Sequence, residues 1–220
     1  MGEVWLLADF DGTLMDTYTN TPKALNELLG EEKGARAYRL MLELSARGIH
    51  DPREFLKEFA PERELQRYLE RFYELRIEHS SPREGALEAV RNLRAMGIRF
   101  GILCSPDPVP GMKRRRILAS PFAPPLAEAV LIVGETCPSR RECVESLRAN
   151  LVFVVDDLVG PLEEVSGIPN VVPVRILPPK SVRGGGMWEG EFDPTLGNWD
   201  EVRAFVLNFI EGSYARKRVS

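Results

Sequence analysis

Four apolar runs of strand length, almost free of polar residues, most constrain the fold of this chain. They span residues 4–8, 98–104, 129–133 and 151–155. Continuous apolar runs are typical of strands that are buried on both faces of a parallel sheet, whereas strands with one wet face alternate apolar and polar residues. A fifth run, 171–176, contains Pro173, which favours the sheet edge because proline cannot donate to a strand ladder.

Helical patterns separate the later runs, and three of them begin with a capping signal. Ser81, Ser139 and Asn198 are each followed by a glutamate three positions later, the spacing of a capped helix start. Strands that alternate with helices indicate an α/β fold. We therefore expect a doubly wound, Rossmann-like parallel sheet as the core.

Residues 16–80 have a different pattern, without a convincing strand. Their apolar residues fall at helical spacing, as Leu65, Leu69 and Phe72 do. This pattern predicts three or four helices that form a smaller, all-helical cap domain. The core domain would then consist of residues 1–15 and 81–220.

Residues 177–197 show no periodicity and are rich in proline and glycine. Loops of this length usually serve a function or are mobile. Trp188 and Phe192 could pack the segment down, or the segment could form a short hairpin. The sequence leaves open whether it is ordered.

Reactive residues follow three of the runs. Asp9 and Asp11 follow the first, Ser105 the second, and Asp156 and Asp157 the run that ends at residue 155. Because ligands bind at the carboxyl ends of parallel strands, these side chains are expected to converge. Carboxylates gathered in a partly dry cleft need a cation, and their hard oxygens favour Mg²⁺. Mg²⁺ in turn favours phosphate chemistry.

The Asp-x-Asp spacing places Asp9 and Asp11 on one side of the chain while Phe10 packs away. One carboxylate can attack phosphorus while the other protonates the leaving oxygen and later deprotonates water. Gly12 lets the chain turn closely. Thr13 can offer its hydroxyl to the second carboxylate or to the turn.

These motifs resemble those of the haloacid dehalogenase-like (HAD) superfamily of phosphohydrolases. Residues 9–14 read DFDGTL, an apolar run reads FGILCS up to Ser105, and another reads LVFVVDD up to Asp157. Their order and spacing fit the first, second and fourth family motifs over most of residues 1–176. Haloacid dehalogenases proper lack the second aspartate, so Asp11 points to phosphate rather than carbon–halogen chemistry.

The resemblance implies a role for each matching residue. Asp9 would be the nucleophile, Asp11 the general acid and base, and Ser105 a catalytic and substrate-binding hydroxyl, with Thr13 a further substrate contact. The metal would bind Asp9, the backbone carbonyl of Asp11, and Asp157, with Asp156 bound directly or through water. The inserted helices resemble the cap that members place between the first two motifs.

The third family motif, a lysine before the fourth, is missing. Cys137 stands where lysine is expected. Arg140 and Arg141 lie in a first helical turn, where cations oppose the helix dipole, and either could grip a phosphoryl group. Lys113, the only lysine between the second and fourth motifs, is another candidate. We expect Arg141 to replace the lysine, with Arg140 as a substrate-binding residue.

Composition and charge argue against nucleic acid and membranes as partners. The formal net charge is -4, so no global basic field gathers nucleic acid or an anionic membrane. The basic run 113–116 lacks interleaved aromatic residues and reads as a solvated helix face. Without a leader or a membrane-length apolar run, we expect a cytoplasmic protein.

Three cysteines are an odd count without zinc-ligand spacing. This count favours neither a disulfide framework nor a zinc site. Cys104 ends an apolar run and is expected to be a buried thiol.

The sequence thus predicts a magnesium-dependent phosphatase that hydrolyses a small phosphorylated metabolite through an aspartyl-phosphate intermediate, with a cap that selects the substrate. The missing lysine favours an alternative, a weak or inactive relative that binds a phosphorylated ligand or partner. A phosphomutase would use the same chemistry. Substrate identity and oligomeric state stay open.

Overall fold

The structure, a computed structural model, describes residues 2–180 and 186–217. The strands are β1 (Val4–Ala8), β2 (Met15–Asp16), β3 (Ser81–Pro82), β4 (Arg99–Cys104), β5 (Ala129–Ile132), β6 (Leu151–Asp156), β7 (Val171–Ile176) and β8 (Thr195–Leu196). The helices are α1 (Thr21–Leu29), α2 (Glu31–Ser45), α3 (Arg53–Leu56), α4 (Leu65–His79), α5 (Ala86–Ala95), α6 (Met112–Leu118), α7 (Arg140–Ser146), α8 (Val159–Val165) and α9 (Trp199–Lys217). No helix in these ranges has the length and apolar composition needed to cross a membrane.

The main sheet has six strands in the order β5-β4-β1-β6-β7-β8, and all its pairs are parallel. The first strand lies in the middle, with Leu6 opposite Phe100 on one side and Phe153 on the other. All five residues of β1 are buried, as its continuous apolar run predicts.

Helices cover both faces of this sheet. On one face, Leu6 and its neighbours pack with apolar residues of α5 and α9, such as Val90 and Val202. On the other face, Leu7 packs in a cluster with residues of α7 and α8, such as Leu162. The predicted doubly wound, Rossmann-like core is confirmed.

The predicted strand bounds agree with the structure to within one residue at each end. The edge position predicted for β7 is wrong, because β8 pairs beyond it. Pairing involves only Arg175 and Ile176 of β7, so Pro173 faces no strand on that side among the described residues. The proline therefore removes no hydrogen bond from the β7–β8 ladder.

Two of the three predicted helix caps are confirmed. Ser139 Oγ accepts from the Glu142 amide, and Asn198 Oδ1 accepts from the Glu201 amide at 3.0 Å. The prediction for Ser81 is wrong, because this residue lies in β3. The helix that follows begins after Gly85, whose φ of 75° is left-handed.

The segment between β2 and β3 is helical, as predicted, and consists of α1 to α4. Its buried apolar cluster also includes two residues that follow β4; the members are Leu25, Ala37, Phe55, Leu56, Leu69, Phe72, Tyr73, Val109 and Met112. Antiparallel pairing of Met15 with Pro82 brings the two ends of the segment side by side. The division into a core of residues 1–15 and 81–220 and a cap of residues 16–80 stays a prediction, and we propose this strand pair as the connection.

The described part of the 177–197 segment packs against the core. Trp188 is buried, Phe192 packs against the apolar cluster that contains Leu7, and Thr195 pairs with Arg175. Among the described residues of the segment no antiparallel strand pair forms, and its one strand, β8, runs parallel to β7. Residues 181–185, with most of the glycine run, lie outside the described residues.

The cysteines differ in part from expectation. Cys104 is a buried free thiol, as predicted. Cys137 and Cys143 form a disulfide across the first turn of α7, with Cα atoms 5.4 Å apart. The expectation of no disulfide is therefore wrong, because a separation of six residues around a helix start brings these two side chains together.

A buried tryptophan ties α9 to the turn after β1. The Trp199 side chain is fully buried, and its Nε1 donates to the Thr13 carbonyl at 2.8 Å. The last helix therefore holds the loop that carries the first motif.

We expect Trp199→Phe to destabilise the protein more than Trp5→Phe. Both changes remove an indole of equal size, but only the first leaves a buried carbonyl unpaired, which costs about 1–3 kcal/mol. The Trp5 indole donates to Glu3, whose carboxylate is accessible to water. Urea unfolding of both variants measures the difference, and equal losses would contradict a stabilising role for the Trp199 hydrogen bond.

Candidate functional site

The carboxyl ends of three adjacent strands form the candidate site. Because β4, β1 and β6 are neighbours, Ser105, Asp9 and Asp156 lie at one rim. The structure therefore brings together the reactive residues of the first, second and fourth motifs. Asp156 and Asp157 are both almost fully buried.

A tight turn after β1 sets the direction of these groups. The Met15 amide donates to the Phe10 carbonyl at 2.9 Å, and the Gly12 amide donates to the Met15 carbonyl at 2.8 Å. Gly12 has a φ of 80°, and a Cβ at this position would lie 2.4 Å from Asp157 Oδ2. Only glycine satisfies both the backbone angle and the close approach.

Three carboxylates form a cluster whose donor atoms suit a hard divalent cation. Oxygens of Asp9, Asp156 and Asp157 all lie within 4.8 Å of one another. Asp156 Oδ2 is buried and accepts no hydrogen bond from any described residue. An all-oxygen donor set that includes a buried acceptor without a hydrogen bond fits Mg²⁺.

Burial raises the pKa values of all three acids. It raises the pKa of Asp9 to about 7, opposed by the positive charges of Lys113 and Arg140. Burial, together with the negative charge of Asp9, raises the pKa of Asp156 well above its ordinary value. Burial also raises the pKa of Asp157 to about 6, and hydrogen bonds from Trp188 and Thr13 oppose this rise. A bound cation would offset this cost of ionisation.

Two donors orient Asp157. Thr13 Oγ1 donates to Oδ1 at 3.1 Å, and Trp188 Nε1 donates to Oδ2 at 2.6 Å. A carboxylate has about four lone-pair positions, so these bonds leave others available for a cation. Trp188 also packs edge-on against Tyr18, with ring centroids 5.1 Å apart.

The Trp188 loop is held by a buried arginine. Arg175 donates to the carbonyls of Gly190 and Trp188, and its Nε donates to the Asp157 carbonyl at 3.4 Å. It therefore connects the loop to the strand end that carries the cluster.

Asp11 has an environment opposite to that of Asp9. Lys113 and Arg116 bind its carboxylate directly, and Arg76 Nη2 lies 3.2 Å from Oδ1. Burial opposes ionisation, but the charges of Arg116, Lys113 and Arg76 outweigh it and hold the pKa of Asp11 well below its ordinary value. The Asp11 side chain is thus directed to cations rather than to the carboxylate cluster.

Arg140, rather than Arg141, occupies the place beside Ser105. The Arg140 side chain is buried; Nη2 donates to Ser105 Oγ at 3.4 Å, and Nη1 lies 3.6 Å from Asp156 Oδ2. Arg141 is exposed and pairs with Glu145 at 3.5 Å. The expectation that Arg141 replaces the lysine is wrong, because successive helical side chains point about 100° apart.

Lys113 and Thr13 are the other two candidates near the site, and their side chains have different partners. Lys113 lies at the site, where it binds Asp11 and contacts Asp107 Oδ1 at 3.2 Å. Thr13 is fully buried and bonds to Asp157. The structure therefore directs this hydroxyl to Asp157, and a contact with substrate stays a prediction.

A cavity of about 230 Å³ opens onto these groups. Asp9, Ser105, Arg140 and Lys113 line it on the core side, and helical-segment residues that include Arg76 line it on the other. A wider cleft of about 660 Å³ lies beside β2 and β3, away from the clustered acids. The smaller cavity is therefore the candidate active site.

Sequence reasoning missed several groups that complete the site, namely Arg76, Asp107, Arg116, Arg175 and Trp188. The basic run 113–116 carries the only local signal for Arg116. The expectation that this run is a solvated helix face is wrong for Lys113 and Arg116, whose side chains are buried. The sequence predicts only a packing role for Trp188. Their contacts span 9 to 105 positions in the chain, which no local pattern reports.

A sequence model of haloacid dehalogenase-like hydrolases matches residues 5–156. No curated protein matches the chain significantly. Among solved structures, a protein of Burkholderia xenovorans LB400 described as a haloacid dehalogenase-like hydrolase is 20% identical, with a TM-score of 0.66, over 92% of this chain and 98% of that one.

CbbY from Rhodobacter sphaeroides, solved with phosphate, is 18% identical with a TM-score of 0.59, over 92% of this chain and 96% of that one. A mutant of CbbY, solved with xylulose 1,5-bisphosphate, is 19% identical with a TM-score of 0.58, over 91% and 96%. At these identities the likeness establishes the fold.

We expect metal-free Asp9→Asn to be more stable than the unaltered protein at pH 8, and its advantage to shrink at pH 5. The raised folded-state pKa of Asp9, about 7, means that wild-type stability falls as pH rises from about 4 through 7. Asparagine does not titrate. The advantage of Asp9→Asn in free energy of unfolding should differ by about 1–3 kcal/mol between pH 5 and pH 8. Urea unfolding in the presence of a chelator measures this difference.

Glu145→Gln, at an exposed carboxylate outside the cluster, controls for loss of one negative charge. Mg²⁺ should stabilise the unaltered protein more than Asp9→Asn, since a ligand of the folded state adds to its stability. An Asp9→Asn advantage that is independent of pH would contradict costly ionisation of Asp9.

Proposed function

The chain belongs to the haloacid dehalogenase-like hydrolases, whose family model spans residues 5–156, and we propose that it is a magnesium-dependent phosphatase of a small phosphorylated metabolite. One observation carries the proposal. Three carboxylates, of which Asp156 and Asp157 are buried and Asp9 is half-buried, have oxygens within 4.8 Å of one another beside a hydroxyl and an arginine. Such a set can hold a hard cation next to a phosphoryl group.

Asp9, Asp156 and Asp157 would hold the Mg²⁺ with side-chain oxygens, and the family resemblance adds the Asp11 carbonyl. When bound, the ion neutralises the negative charge of the phosphoryl group and of the surrounding carboxylates. Trp188 and Thr13 keep Asp157 in one orientation through their hydrogen bonds.

In the first step, an Asp9 oxygen forms a bond to phosphorus while the bond between phosphorus and the leaving oxygen breaks. The leaving oxygen takes up the proton that Asp11 carries, and the product is an aspartyl phosphate on Asp9. In the second step, a water oxygen attacks phosphorus while Asp11 takes a proton from that water, the bond to Asp9 breaks, and inorganic phosphate and the free carboxylate result.

Asp11 is the proposed proton carrier between these steps. It must be protonated to act on the leaving group, whereas Arg76, Lys113 and Arg116 favour its ionised form. Because Arg76 belongs to α4, movement of the helical segment away from the core would remove one of these cations. We propose that this movement allows Asp11 to take up the proton.

Ser105 and Arg140 are the proposed phosphoryl-binding groups on the core side. Arg140 is buried and begins α7, the helix before the fourth motif, so it can supply the positive charge that a lysine supplies in the family. Arginine can bind two phosphoryl oxygens at once. Lys113 adds a second positive charge to the same cavity.

A second candidate function is supported by the environment of Asp11. A carboxylate held by three cations is a poor proton donor, so the protein could bind a phosphorylated ligand and turn it over weakly or not at all. Phosphate binding without Mg²⁺-dependent release of phosphate from ester substrates would favour this function.

We expect Asp9→Asn to lower Mg²⁺-dependent hydrolysis of p-nitrophenyl phosphate by at least about 1,000-fold, because the amide is a poor nucleophile. Circular dichroism checks that the variant is folded. Chelation of the metal in the unaltered protein should produce a similar loss. Activity that survives both changes would contradict the proposed mechanism.

We expect Arg140→Met to lower kcat/KM for the same ester by about 100-fold or more, through loss of charge beside the phosphoryl group. Arg140→Lys should recover part of the loss. The matched control is Arg141→Met on the next residue, whose exposed side chain pairs with Glu145; its kcat/KM should change by less than about twofold. Equal losses for both positions would refute the assignment of Arg140.

A further inference from the structure

We propose that Arg76 selects substrates that carry a second anionic group, a carboxylate or a second phosphate, on the part that leaves. This inference rests on the proposed phosphatase function and concerns the same cavity. It assigns Arg76 a role in substrate binding in addition to its effect on the charge of Asp11.

Arg76 lies opposite the phosphoryl-binding groups. It comes from α4 in the helical segment, whereas Asp9, Ser105 and Arg140 line the same cavity from the core. A substrate with its phosphoryl group at the core side would extend its other end toward Arg76.

The charges around Arg76 are not balanced. Arg116 contacts both oxygens of Asp11 and both of Asp107, and Lys113 contacts both acids as well. Asp11 and Asp107 are thus already paired with two cations. Arg76 adds a third positive charge to this group of five side chains, which can attract an anion locally. The acids Asp9 and Asp156 line the same cavity and are offset in part by Arg140.

Arg76 also has unused hydrogen-bonding capacity. Its Nε is buried and has no acceptor among the described residues, while Nη2 bonds to Asp11. A buried donor without a partner is unfavourable, so an acceptor brought to Nε on ligand binding would relieve this cost.

Aromatic rings exclude water around this guanidinium. Its carbon lies 5.6 Å from the ring centre of Tyr18, 5.8 Å from that of Phe72 and 6.0 Å from that of Tyr73. Partial desolvation strengthens attraction between opposite charges. The planar guanidinium of Arg76 can therefore bind two oxygens of a carboxylate or phosphate at once.

Among the described residues of α1 to α4 and their connections, Arg76 is the charged donor that lines the cavity. His50 lines it too, but burial lowers the pKa of its imidazole, which favours the neutral form. The cavity of about 230 Å³ suits a small substrate. The substrate class is therefore a small phosphate ester with a second acid group.

Three probes with the same three-carbon chain test this inference: propyl phosphate, 3-phosphooxypropanoate and propane-1,3-diol bisphosphate. In the unaltered protein, kcat/KM for at least one of the two probes with a second acid group should exceed that for propyl phosphate by about tenfold or more. The probe with the larger advantage identifies carboxylate or phosphate as the second group.

Arg76→Met should abolish this advantage, and Arg76→Lys, which keeps the charge without the planar guanidinium, should retain part of it. The matched control is Arg71→Met on the same helix, where the arginine pairs with surface glutamates. This control should keep the advantage. Ratios between probes are compared within each variant, so a general change in activity does not affect the result.

Calorimetric binding of the same probes to Asp9→Asn protein separates this inference from the proposed function. Tighter binding of an acidic probe than of propyl phosphate, lost in Asp9→Asn/Arg76→Met, supports the role of Arg76 even if no probe is hydrolysed. No preference in the Asp9→Asn protein, or a preference that survives loss of Arg76, would overturn it. Absence of turnover in the unaltered protein counts against the phosphatase function alone.

Discussion

The gathering of three carboxylates at one buried rim is the constraint on which the rest of the site depends. Because β1 and β6 are hydrogen-bonded neighbours, Asp9, Asp156 and Asp157 cannot move apart without disrupting the centre of the sheet. Burial raises their pKa values, so the folded protein disfavours three ionised acids in the absence of a cation. The fold thus stores an unfavourable charge arrangement that a hard metal ion would relieve.

Two aspartates only two positions apart have opposite electrostatic environments. Asp9 lies among other acids and has a raised pKa, whereas Asp11 lies among cations and has a lowered one. Such separation allows two carboxylates of one motif to take different roles. Since one of the cations, Arg76, comes from the inserted helices, the charge around Asp11 depends on how those helices sit against the core.

Most of the core architecture could be predicted from local pattern. Continuous apolar runs report strands buried on both faces, and the strand bounds followed from them because burial of β1, β4 and β6 is nearly complete. The capping signal succeeded at Ser139 and Asn198 but failed at Ser81. There the antiparallel pairing of β3 with β2 outweighed the local helix signal and delayed α5 until after Gly85.

The sequence by itself determined the parallel sheet, the helical segment between β2 and β3, and the acids at the carboxyl ends of β1 and β6, because these depend on periodicity and on order along the chain. Only the tertiary structure decided which cations serve those acids. A sequence pattern does not distinguish Arg140 from Arg141. The burial of Arg140 and the exposure of Arg141 depend on how α7 packs. Arg76 and Trp188 reach the site across 65 and 31 positions of chain. Contacts of this kind depend on the packing of distant segments, which local sequence does not encode.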